Sequence, residues 1–118
     1  MGIKGIDHWV IVAGDLQRTL SFYERLGFEK SSDRQMGENE RWLTVTPPGA
    51  QTALTLYHDA GRAGQSSFVY GVDDIGALYD RWSADGITFT EPPAPRMWGI
   101  QAMLDDPDGN TIVVVQPQ

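Results

Sequence analysis

No cysteine occurs among the 118 residues, which removes disulfides, thiolate nucleophiles and cysteine-bound zinc from consideration. Any metal site would have to be built from His, Asp and Glu, and histidine is scarce as well, present only as His8 and His58. Positive charge is also in short supply: nine Lys and Arg against sixteen Asp and Glu give a net charge of −7. Such a chain repels a phosphate backbone, so nucleic acid is an unsuitable partner. A cationic small molecule would be attracted, although acidity also serves solubility alone. No apolar run approaches the roughly 20 residues that span a bilayer, and the opening MGIKGIDHWV lacks the apolar stretch of a signal peptide. The expectation is a soluble, cytoplasmic protein with no membrane partner. Its length suits one domain, 1–118, that buries roughly two-thirds of the surface of the unfolded chain.

Within that length the same grammar appears twice. Gly5 to Val12 reads as a strand, Asp15 as a helix N-cap, and Leu16, Leu20, Tyr23 and Leu26 as an apolar helical stripe that Gly27 ends in a left-handed cap. Short strands follow around 28–32, 41–46 and 52–58, with Pro47-Pro48-Gly49 turning the chain between the last two. The second copy has a strand at 68–72, a cap at Asp73-Asp74, a stripe of Ile75, Leu78, Tyr79 and Trp82, and a closing Gly86. An offset of 59 maps Asp15 onto Asp74, Leu16 onto Ile75, Tyr23 onto Trp82 and Gly27 onto Gly86, the mark of an internal duplication. Thr88 to Thr90, a proline-rich loop Pro92-Pro93-Ala94-Pro95, a strand near 100–104, the turn Asp106-Pro107-Asp108-Gly109 and a last strand 111–116 complete it. The fold class is therefore α+β: two βαβββ modules forming curled mixed sheets around a cavity. Module one is 1–58, a small polar linker occupies 59–65, and module two is 66–118.

Several of these segments together resemble the vicinal oxygen chelate superfamily, which includes glyoxalase I, extradiol dioxygenases and the bleomycin-resistance proteins. The carriers are Asp7-His8, Gly14-Asp15-Leu16, Ser21-Phe22-Tyr23, Leu26-Gly27-Phe28, Val72-Asp73-Asp74-Ile75 and Asp106-Pro107-Asp108-Gly109-Asn110. In metal-dependent members the resemblance implies four ligands, one from the first and one from the last strand of each module, holding a divalent Lewis acid. Here those positions are His8, Ser67, Thr55 and Val113, of which only the histidine is a good ligand. His58 falls on the opposite strand face from Thr55 and Tyr57. The expectation is no metal and no cofactor.

Alternation from those positions predicts the cavity wall: His8, Val10 and Val12; Trp42, Thr44 and Thr46; Ala53, Thr55 and Tyr57; Ser67 and Val69; Val113 and Val115. Either Gln101 with Met103 or Ala102 with Leu104 joins them. The wall reads as apolar and aromatic, with a few hydroxyls and no charged cluster. Met97-Trp98-Gly99 is similar to the Trp-Gly loop of antibiotic-binding members, where the tryptophan lines the drug site. Trp82 and Trp9 read as core, Trp42 and Trp98 as ligand contacts, and Glu38 and Glu40 as a solvated loop that could also draw a cationic ligand. The candidate binding residues are thus Trp98, Trp42, Tyr57, His8, Ser67, Thr55, Gly99 and Val113. The resemblance implies a homodimer that sequesters an aromatic or glycopeptide-like antibiotic, rather than an enzyme. The alternative is a glyoxalase-fold enzyme acting on a small carbonyl or aromatic substrate with His8 as general base. Asp7 faces away from that histidine by alternation.

Overall fold

The computed structural model describes residues 8–35, 37, 41–49, 52–59 and 61–118. Asp7, Glu38 and Glu40 lie outside the described residues, as does the stretch 5–7 of the first expected strand. The chain forms two compact units, Met1–Ala63 and Gly64–Gln118.

In the first unit, β1 (His8–Ala13), β2 (Glu29–Gln35), β3 (Arg41–Thr46) and β4 (Ala53–His58) form a mixed sheet in the order β1-β4-β3-β2, with β1 parallel to β4. Helix α1 (Leu16–Arg25) starts where Asp15 accepts a hydrogen bond from the Arg18 amide at 3.1 Å, which satisfies one of the amides that a helix start leaves open. It ends at Gly27, whose φ of 101° carries the chain into β2. Because side chains alternate across a strand, Ile11, Leu43, Val45, Leu54 and Leu56 all fall on the face that α1 covers and are buried. Leu20, Phe22 and Tyr23 of the helix complete that core.

The second unit repeats the plan. Strands β5 (Ser67–Gly71), β6 (Phe89–Arg96), β7 (Gly99–Asp105) and β8 (Thr111–Pro117) take the order β5-β8-β7-β6, again with a parallel first pair. Helix α2 (Ile75–Ala84) is capped by Asp74, which accepts from the Ala77 amide, while the Gln116 side chain accepts from the Ile75 amide at 2.9 Å. Gly86 ends it at φ 87°. Ile75, Trp82, Ala102, Leu104, Ile112 and Val114 make this unit's core.

Two expectations are corrected here. The segment around Pro92-Pro93-Ala94-Pro95 is a strand, not a loop, because β6 is the sheet's edge and proline's missing N–H is tolerated there; the register slips between Glu91 and Ala94 absorb the mismatch. Trp9 shares a face with Ile11 but is 43% exposed, since β1 is also an edge strand and α1 packs on β4 and β2.

The shared Asp106–Asn110 motif is a turn that closes β7 onto β8 and ties both to β5. Asp106 Oδ1 accepts from the Asp108 and Asn110 amides at 2.9 Å each, Oδ2 accepts from Asn110 Nδ2 at 2.7 Å, and Asn110 Oδ1 accepts from the Ser66 amide at 2.9 Å. Asn110 is fully buried, so the bonds it makes satisfy groups that water does not reach.

Candidate functional site

The faces of the two sheets that turn away from their helices carry the predicted binding residues. On the first, the pairing of His8 with Ala53 and of Val10 with Thr55 puts His8, Val10, Val12, Thr55 and Tyr57 on one side, and Thr44 opposite Thr55 brings Trp42 and Thr46 to the same side. Val10, Trp42 and Tyr57 are 46%, 40% and 50% exposed, well above the residues beneath the helix. The His8 and Trp42 rings meet edge to face with centroids 5.6 Å apart. One face of the Tyr57 ring is covered by the Arg62 guanidinium at 5.9 Å, and Arg62 is itself held by Asp59 at 2.8 Å.

The middle of this face is a patch of hydroxyls. A bulge between Lys30 and Ser32 makes Ser31 the extra residue of β2 and turns two consecutive serines toward β3. Ser31 Oγ and Ser32 Oγ each lie 2.7 Å from Thr44 Oγ1, and Ser31 Oγ lies 3.0 Å from Thr46 Oγ1. Strict alternation would have sent one serine to each side, so the sequence could not show the pair. Thr55 is buried, and its hydroxyl makes no hydrogen bond among the described residues. On the other face of β2 and β3, where Lys30 and Asp33 pair with Val45 and Leu43, Asp33 accepts from Arg41 Nε and Nη2 at 2.8 Å each and from Lys30 Nζ at 3.0 Å. The Arg41 hydrogen bonds, with those of Lys30 behind them, hold the Asp33 carboxyl well below the usual carboxylate range.

On the second sheet Ser67 and Val69 of β5 align with Thr111 and Val113 of β8, and Gln101 and Met103 of β7 align with Val115 and Val113. The open choice of register therefore resolves to Gln101 with Met103, while Ala102 and Leu104 are fully buried under α2. Val69 is 64% exposed, Met97 90% and Trp98 54%, the last two forming the tight turn between β6 and β7. Gly99 is buried and has φ 142°; a Cβ there would meet the Gln116 carbonyl oxygen at 2.2 Å, so the close approach of β8 demands glycine. The expectation of a wall without charge is corrected on this face. Glu91 of β6 accepts from Arg96 Nη2 at 2.9 Å and from Gln101 Nε2 at 3.5 Å, and Gln101 Oε1 accepts from the Trp98 indole N–H at 3.1 Å. Reading β6 as a loop had hidden Glu91 and Arg96. A cavity of about 250 Å³ lies beside this turn, lined by Pro95, Arg96, Ile100 and Pro117 together with Gly99.

The positions at which metal-dependent relatives would carry ligands do not fit a divalent ion. They supply one imidazole from His8, two neutral hydroxyls from Thr55 and Ser67, and the hydrocarbon of Val113. Among the described residues no three His, Asp or Glu side chains cluster in a way that could hold a metal. His58 is turned to the helix side, with Nε2 3.1 Å from the Gly14 carbonyl. No helix among the described residues is long and apolar enough to cross a membrane.

Comparison with known proteins agrees with this architecture. The chain is similar to the structure of TnmS3, an antibiotic binding protein from Streptomyces sp. CB03234, with 33% identity and a TM-score of 0.90 over 100% of this chain and 99% of that one. It is similar to a member of the Glyoxalase/bleomycin resistance protein/dioxygenase superfamily from Sphaerobacter thermophilus DSM 20745, with 36% identity and a TM-score of 0.85 over 98% and 99% of the two chains. It is 32% identical to the uncharacterized protein YetH of Bacillus subtilis (strain 168), over 95% of this chain and 98% of that protein. Residues 5–114 match the sequence model of one family. The chain belongs to the Glyoxalase/Bleomycin resistance protein/Dioxygenase superfamily.

Proposed function

We propose that this protein binds a small, flat, partly apolar antibiotic and releases it chemically unchanged. The observation that carries the reading is the half-exposure of Trp42 and Tyr57 on a sheet face that also presents Val10, and of Trp98 at the turn beside the face that presents Val69. Large aromatic side chains left open on a preformed surface bind planar molecules by stacking and area burial, each stack contributing about 0.5–1.5 kcal/mol beyond burial. The likeness to TnmS3 at 33% identity supports the same class of ligand. His8, Thr55, Ser67, Gly99 and Val113 belong to the proposed contact set by their place on or beside these faces. The poor donor set at His8, Thr55, Ser67 and Val113 supports binding without a metal. The net charge of −7 favours a cationic ligand. The working assembly under this reading is a cytoplasmic homodimer, and sedimentation equilibrium returning the monomer mass at working concentration would remove that part of it.

Tryptophan-fluorescence titration of metal-stripped protein tests the reading, with a panel of bleomycin, mitomycin-like quinones and enediyne-type aromatics. Saturable quenching with a dissociation constant from nanomolar to micromolar is expected, weakened roughly tenfold or more by Trp98→Ala. Binding that appears only after a divalent metal is added would remove it in favour of an enzyme centred on His8.

A further inference from the structure

Trp98 is more than half exposed at a hairpin turn, yet its polar edge is not open. Its indole N–H donates to Gln101 Oε1 at 3.1 Å, the Gln101 amide donates to Glu91 Oε1 at 3.5 Å, and Arg96 Nη2 donates to the same Glu91 oxygen at 2.9 Å. The order of this chain is forced by chemistry. An indole and a guanidinium only donate and a carboxylate only accepts, so the glutamine between them has one usable orientation, with its oxygen toward Trp98 and its nitrogen toward Glu91. Arg96 and Glu91 form an ion pair along β6, and the three prolines that lie between them stiffen the strand. Gly99 draws the turn tight against β8.

We propose that Arg96, Glu91 and Gln101 are positioning residues for Trp98: a strut that turns its indole N–H into the hairpin and leaves the ring face as a fixed platform. The inference rests on the reading of Trp98 as a ligand contact and deepens it by naming the ligand chemistry. With the N–H already spent, Trp98 offers no hydrogen bond, so it selects a planar ring that stacks and not a ligand group that accepts from the indole. A ring held in place before binding loses little rotational freedom on stacking, so slackening the strut should weaken binding by roughly 3- to 10-fold.

The test uses the ¹⁵N-labelled full chain without ligand, with the Trp98 indole N–H resonance assigned by its loss in Trp98→Phe. In the native chain its heteronuclear NOE should match that of the backbone amides of β7. Gln101→Met, of similar length but with only the weak thioether acceptor, and Glu91→Ala, which frees the amide to rotate, should both lower that NOE and weaken binding of the tightest panel ligand 3- to 10-fold. The double variant Glu91→Gln with Gln101→Glu exchanges amide and carboxylate while leaving every donor an acceptor, and should restore both readouts. An indole as ordered in Gln101→Met as in the native chain overturns the strut, as does a loosened indole with affinity unchanged within twofold, or failure of the double exchange to restore order in a folded protein. If no panel ligand binds the native chain, the binding reading falls, while the NOE series still decides the strut.

Discussion

At residue scale, the positions that matter are those whose neighbours leave no second option. Gly99 is one, since its φ of 142° and the Gln116 carbonyl 2.2 Å from a would-be Cβ both oppose any side chain. Gly99→Ala is expected to destabilise the protein by more than about 2 kcal/mol in urea unfolding. Thr55 is the opposite case, a buried hydroxyl with no hydrogen-bond partner among the described residues. Thr55→Val keeps the shape and removes the unsatisfied group, so unfolding free energy should rise by about 1–2 kcal/mol; a fall of that size would mean the hydroxyl has a partner. The sequence pointed to both residues, but for a binding role. It could not show why Gly99 must be glycine, because the reason is the Gln116 carbonyl of β8, far along the chain. Trp9 and Glu91 mark the same limit: alternation gives the face of a residue, but not whether the strand lies at an edge.

At the scale of elements, the starts and stops of both helices were legible. Asp15 and Asp74 cap them and Gly27 and Gly86 end them, as local chemistry requires. The bulge at Ser31 and the proline-rich β6 were not legible, since both depend on what the neighbouring strand tolerates. The turn Asp106–Asn110 was recognised as a motif, and the structure supplies its physics. Asn110→Ala strips partners from Asp106 and from the Ser66 amide, and should cost about 2–3 kcal/mol of stability by denaturant titration. The β2–β3 pair contributes to the acid dependence through Asp33. The Asp33 carboxyl is held below its ordinary value of 3.8, so its contribution is present above that value and is lost as pH falls through the lower folded one. Asp33→Asn should therefore flatten the stability profile below about pH 4, as followed by circular dichroism. An unchanged acid limb would assign acid unfolding to other carboxyls.

For the whole molecule, the duplication at an offset of 59 residues already described two units of one strand order, and the sheets β1-β4-β3-β2 and β5-β8-β7-β6 follow it. The family was legible for the same reason: its motif residues are the caps and turns on which each unit depends. The candidate site was legible only as a set of faces. Which hydroxyls gather on the first sheet, and which charged groups brace Trp98 on the second, depend on register slips that no alternation rule carries. The central claim is that these faces bind an antibiotic without changing it. Calorimetric titration with the tightest panel ligand, followed by prolonged incubation at saturation and mass spectrometry of the released molecule, tests this directly. Saturable binding is expected, about tenfold or more weaker in Trp98→Ala, with a ligand of unaltered mass. A ligand returned with a changed mass, or an affinity indifferent to Trp98→Ala, would contradict it.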